Sequence, residues 1–205
     1  LITDIIKMLG GVPSGTPLLM KYKEGTYMPD VVLKAEHVTK RFGGITALED
    51  AQLELYKGEV HALVGANGAG KSTLIKIITG AYSSDEGDIY LDGQKVDIKS
   101  TFDARAKGIS AVYQEFSLIN TVSVAENIYM GKLLYNNLGP IPRADWKRMN
   151  EETQKILDSL GVKNIKPETI VGRLSVAQKQ MVEIAKALSN DLKVLIMDEP
   201  TASLS

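Results

Sequence analysis

The segment Gly65-Ala-Asn-Gly-Ala-Gly-Lys71-Ser72 constrains this chain more than any other. Its spacing is GxxxxGK[ST], and it lies between an expected strand at 59–64 and a stretch at 72–79 that carries Leu74, Ile75, Ile77 and Ile78. Strand, glycine turn and helix in that order form the setting in which backbone N–H groups gather around a phosphate chain. Glycine lets the backbone close on an anion without Cβ clashes, and the helix N-terminus adds partial positive charge. Gly65, Ala66, Asn67, Gly68, Ala69, Gly70 and Thr73 are then expected to line the cradle. Lys71 would bridge the outer phosphates, and the Ser72 hydroxyl would reach Mg2+. A flexible turn is the plainer explanation, and the two flanks argue against it. Gly80 is placed to end the helix.

A second feature stands far along the chain. Residues 194–197 are four apolar side chains, suited to a central parallel strand, and Asp198 and Glu199 follow at once. At such a strand end Asp198 can hold Mg2+ through water. Glu199 can accept a proton from an attacking water, which is general-base work. Alone, the pair would read as a solvated acidic turn; after a phosphate loop it reads as chemistry. Between the two features, Leu174-Ser-Val-Ala-Gln178 places Ser175 and Gln178 as an S-x-x-Q capping box before an apolar-striped helix at 175–188. Capping does not exclude anion binding, because a helix start with a hydroxyl also suits an anion.

Composition removes several alternatives. Among 205 residues there are 24 basic and 25 acidic side chains, so no positive field would gather nucleic acid. No nucleic-acid partner is expected. The absence of cysteine removes thiolate catalysis and Cys-ligated zinc, and His37 and His61 are too isolated for a metal site. No apolar run approaches the roughly 20 residues that span a bilayer.

Residues 1–30 are rich in breakers and are taken as an N-terminal extension or linker; Met28 is a candidate natural start. Strands are expected at 31–38 and 47–56 around Gly43-Gly44, and at 88–91 and 95–98 around Asp92-Gly93, giving a small antiparallel sheet. Residues 59–64 are expected to form a strand entering the glycine loop. Helices are expected at 117–132 and 143–160, with a break at Gly139-Pro140.

The phosphate loop, Gln114 in Val112-Tyr-Gln-Glu-Phe116, the LSxxQ segment and MDEP, in that order over residues 31–205, resemble an ABC-type ATPase. LSVAQ followed by Lys179-Gln-Met-Val-Glu-Ile-Ala-Lys-Ala-Leu188 is similar to the first ATPase half of tandem importers for ribose, galactose and related simple sugars. The resemblance implies an α/β P-loop NTPase with a central, mainly parallel sheet, an antiparallel β subdomain and a helical subdomain at about 117–190. It implies ATP and Mg2+ as ligands, with Ser72, Gln114 and Asp198 at the metal and Glu199, Gln114 and Lys71 in catalysis. Phe42, in Lys40-Arg-Phe-Gly-Gly44, would stack on adenine, although a core residue at a strand end is the ordinary alternative. Ser175 and Gln178 would meet the γ phosphate held by a second ABC ATPase domain. Two departures are visible: Val176 and Ala177 stand where the family signature has two glycines, and Ser205 stands where an aspartate is usual.

The function expected is an ATP-hydrolysing cassette at the cytoplasmic face of the cell membrane, peripheral to permease subunits. A periplasmic or extracellular sugar-binding protein would be an indirect partner. Phe116, Leu118, Ile119 and Val122 would either form a groove for a permease helix or pack in the core. The alternative is a soluble ABC switch acting on ribosomes or DNA. The 205 residues stop before the family's switch histidine, so turnover by them alone is not expected. The sugar itself is not encoded here.

Overall fold

A computed structural model describes residues 30–113, 115–136 and 142–197. The expected extension at 1–30 thus lies outside the described residues except for Asp30. The chain divides into two compact units, Leu1–Ile109 and Ser110–Ser205.

The first unit is built on a sheet in the order β2-β1-β3-β4. Strands β1 (Val31–Phe42) and β2 (Ile45–Tyr56) form the expected hairpin. β3 (Glu86–Leu91) pairs antiparallel with β1 and, across Asp92-Gly93, with β4 (Gln94–Val96). Alternation sorts the faces: Leu33 opposes Leu91 and Ala35 opposes Ile89, and all four are buried. The β1 register slips between Glu36 and Thr39, where His37 takes φ 53°. Gly87 stands opposite with φ 87°, and a Cβ there would lie 2.4 Å from the His37 carbonyl oxygen. Only glycine fits that crossing.

Helix α1 (Lys71–Ile78) buries Leu74, Ile77 and Ile78 and turns out through Gly80 at φ 73°. α2 (Thr101–Ala106), which its composition did not announce, starts where the Ser100 side chain accepts from the Asp103 N–H.

One expectation fails here. Residues 59–64 form no strand; Val60 is 51% and Val64 88% exposed. A strand is stable only through a neighbour that satisfies its backbone groups, and no described strand pairs with this run. An apolar pattern encodes the wish to be buried and is silent about the partner.

In the second unit β5 (Ile109–Val112) and β8 (Val194–Met197) pair as a two-stranded sheet. The expected strand at 194–197 is therefore present. Three helices follow: α3 (Val124–Tyr129), α4 (Trp146–Ser159) and α5 (Val176–Leu188). They enclose a core of Val124, Ile128, Met149, Leu157, Ile165, Val171, Val182 and Ala185. Met149 and Leu157 are wholly buried, each contributing roughly 1.5–3 kcal/mol by burial.

The helices at 117–132 and 143–160 are shorter than expected. The second starts only at Trp146, because Arg143–Ala144 (β7) pairs with Tyr135–Asn136 (β6) and Asp145 caps the Arg148 N–H. Gly139-Pro140 lies outside the described residues. In the first, residues 115–122 are not helical, because their backbone groups are bonded elsewhere. Ile119 N–H donates to the Asn127 side chain, Gly172 N–H to the Asn120 carbonyl, and Val171 N–H to the Val122 carbonyl. Helix begins only after Ser123, which forms a capping box with Glu126. Among the described residues no helix is long and apolar enough to cross a membrane.

Candidate nucleotide site

The glycine turn delivers its chain into α1 through Gly70, whose φ of 82° is left-handed. Two constraints fix glycine there. The backbone conformation disfavours a side chain, and a Cβ would sit 2.7 Å from Leu48 Cδ1 and 2.9 Å from the Ala47 carbonyl oxygen. The turn is thus pressed against β2. Gly68 shares the φ of 82° but faces open space.

With glycine as its cap, α1 has no side-chain cap hydrogen bond. Its first-turn donors are not committed to a cap side chain, which is the arrangement an anion requires. Gly65, Ala66, Asn67, Gly68 and Ala69 are all exposed, as is Ser72. Lys71 Nζ donates to the carbonyl oxygens of Gly65 and Ala66 at 2.7 and 2.8 Å. The cation therefore already sits at the turn; a phosphate oxygen would be a charged acceptor in exchange for two neutral ones. Thr73 follows within the first turn of α1.

Phe42, the last residue of β1, is 42% exposed, so it is not a core side chain. Its ring meets Tyr82 edge to face, with centroids 5.2 Å apart and planes at 69°. Lys40 Nζ lies 5.4 Å from the Phe42 centroid. The strand end is pinned by Asp85, which accepts from Lys40 Nζ at 2.8 Å and from the Arg41 N–H at 2.7 Å. Those donors hold the Asp85 carboxyl below its ordinary value. Tyr82 and Lys40 escaped sequence reasoning because nothing local says that residue 82 returns to the end of β1.

In the second unit the capping box expected from the sequence is present at α5. The Ser175 side chain accepts from the Gln178 N–H at 3.3 Å, and the Gln178 side chain accepts from the Ser175 N–H at 2.9 Å. Val176 and Ser175 are exposed. Of the three residues expected at Mg2+, Ser72 is described; Gln114 and Asp198 lie outside the described residues, as does Glu199. The proposed groove residues split: Leu118 packs against the helical core, whereas Ile119 is 42% exposed.

Comparison with known proteins adds the family. The profile of the family described as ABC transporter matches residues 48–202. A Burkholderia ambifaria relative, named putative ribose/galactose/methyl galactoside import ATP-binding protein 1, is 51% identical over 174 residues, 85% of this chain and 33% of its own length. The ribose import ATP-binding protein RbsA of Caldanaerobacter subterraneus is 45% identical over 174 residues, 85% of this chain and 34% of its own. The chain therefore spans about a third of these relatives. Among solved structures, an ATP-binding cassette of an ABC transporter in its ADP conformation aligns with a TM-score of 0.71 at 30% identity, covering 85% of this chain and 71% of that one. A nucleotide-free cassette aligns with a TM-score of 0.70 at 31% identity, covering 84% and 70%. The fold is the α/β P-loop architecture of ABC ATPases, and the chain belongs to the ABC transporter family.

Proposed function

We propose that the chain is the ATP-binding and hydrolysing cassette of an importer for simple sugars of the ribose and galactose type. The observation that carries this is the glycine-capped, side-chain-free N-terminus of α1 with Lys71 drawn onto the same turn. That arrangement suits a polyphosphate, and the import proteins that resemble this chain supply the context.

In this proposal the N–H groups of 65–73 and Lys71 hold the phosphates, and Phe42 stacks on the base. Ser72, Gln114 and Asp198 would hold Mg2+, which when bound neutralises charge between the outer phosphates. Glu199 takes the proton from the attacking water, and Gln114 helps to orient that water. Ser175 and the N-terminus of α5 face the γ phosphate held by a second cassette, so that ATP closes the pair and hydrolysis reopens it. Permease subunits then receive the motion, with the cassette peripheral on the cytoplasmic side and a sugar-binding protein an indirect partner.

Calorimetric titration with MgATP tests the site. Lys71→Ala is expected to weaken binding tenfold or more, equivalent to about 1.4 kcal/mol, with little change in unfolding temperature. Equal affinity in the two proteins would remove Lys71 from the site. Uptake of radiolabelled ribose or galactose in cells carrying the Lys71→Ala allele should be lost; unchanged uptake of both sugars would contradict the substrate class.

A further inference from the structure

We propose that Glu183 is a positioning residue that locks the segment following Gln114 to the helix that begins at Ser175. It rests on the proposed roles of those two residues. Glu183 lies in the interior of α5, between Val182 and Ile184, and is only 7% exposed. A carboxylate in such a place is costly unless its oxygens are engaged. Both are: Oε1 accepts from the Ser117 N–H at 2.5 Å and Oε2 from the Ser117 hydroxyl at 3.2 Å. An apolar side chain could be buried there without that cost, so the carboxylate serves Ser117.

Ser117 stands three residues after Gln114 and Glu183 eight after Ser175. Further ties run from the same helix. Lys186 Nζ donates to the Ser117 hydroxyl at 3.1 Å, and Lys179 Nζ to Asn120 Oδ1 at 2.9 Å. Residues 115–122 have neither helix nor strand to hold them, so side-chain anchors set their position. Asn127 fixes Ile119 to α3, and Glu183 fixes Ser117 to α5. A shift of α5 therefore carries to Ser117, which stands three residues from Gln114 in the chain. Glu183 acts through Ser117.

The test uses the chain as its gene encodes it. Glu183→Ala is expected to lower kcat at least tenfold while KM for ATP stays within twofold, and to raise amide exchange across 115–120 with exchange across 65–73 unchanged. Glu183→Gln, which keeps an acceptor for the Ser117 N–H, should restore kcat to within about threefold. Ser117→Ala, an exposed position at which folding is safe, should lower kcat about threefold at constant KM. Overturning results are wild-type kcat in Glu183→Ala and Ser117→Ala, or a KM that rises with no fall in kcat, or unaltered exchange at 115–120. If the wild-type protein neither binds nor hydrolyses ATP, the cassette function fails, and the exchange measurement alone still decides the Glu183 contact.

Discussion

Two helix starts in this molecule are proposed to meet phosphate, and their first-turn donors are handled in opposite ways. α1 begins at a left-handed glycine and has no side-chain cap; α5 begins at Ser175 and carries a complete capping box. Both ends carry the partial positive charge of a helix dipole. At α1 no side chain takes up the first-turn donors. At α5 Ser175 and Gln178 already satisfy each other's N–H groups, so a phosphate there must share or displace an existing bond. If both starts meet phosphate, as proposed, α1 is suited to retention and α5 to contact that is made and released.

The sharpest way to break this contrast is at the α1 cap. Gly70→Ala combines left-handed strain with a Cβ 2.7 Å from Leu48, and a loss of about 3 kcal/mol is expected in denaturant unfolding. Gly68→Ala has the same φ with nothing within 4 Å, and should cost only about 1 kcal/mol. Equal losses would mean that the turn is not pressed against β2.

At α5 the expected effects are smaller. Ser175→Ala should cost about 1 kcal/mol of stability and Ser175→Gly a few tenths. If Ser175 also meets phosphate, both variants should lose ATP-dependent pairing of cassettes to a similar extent, measured by light scattering. Loss of pairing that follows the stability ranking would reduce Ser175 to a cap.

The smallest effect separates α5 from the other start with a capping box, α3. There the carboxylate of Glu126 plays the part of Gln178, and the backbone N–H and hydroxyl of Ser123 hold its pKa below the ordinary 4.5. A group lowered in the folded state contributes fully above its unfolded value, and the contribution drains away as pH falls through the folded one. The α3 box should thus weaken in acid while the neutral α5 box does not. Unfolding temperatures measured below pH 4.5 should fall less steeply in Glu126→Gln than in the wild type; parallel curves would refute the difference.

What the sequence disclosed was whatever local rules decide. The glycine loop, the hairpin at Asp92-Gly93, the Ser175–Gln178 box and the apolar strand 194–197 each follow from a few adjacent residues, and each is present in the structure. Apart from α2, whose Ser100 cap is local, the misses are non-local. Residues 59–64 have the right pattern for a strand and no described neighbour to complete it. Residues 115–122 have helical composition, but Asn127, Gly172 and Val171 bond that backbone from elsewhere. Phe42 gained its Tyr82 neighbour, and Glu183 its Ser117, across 40 and 66 positions that no periodicity connects. For the candidate site, the phosphate-loop residues were legible because phosphate chemistry demands a spacing; their supports were not.

Asn127 carries a consequence for what the loop at 119–123 tolerates in place of an amide. Its amide nitrogen donates to the carbonyls of Ile119 and Ser123 while its oxygen accepts from the Ile119 N–H, so three bonds depend on its having one donor end and one acceptor end. Replacement by aspartate would turn an acceptor toward two carbonyl oxygens at a site that is 1% exposed. One oxygen in place of one nitrogen, at nearly unchanged volume, would then unfasten the loop from its helix.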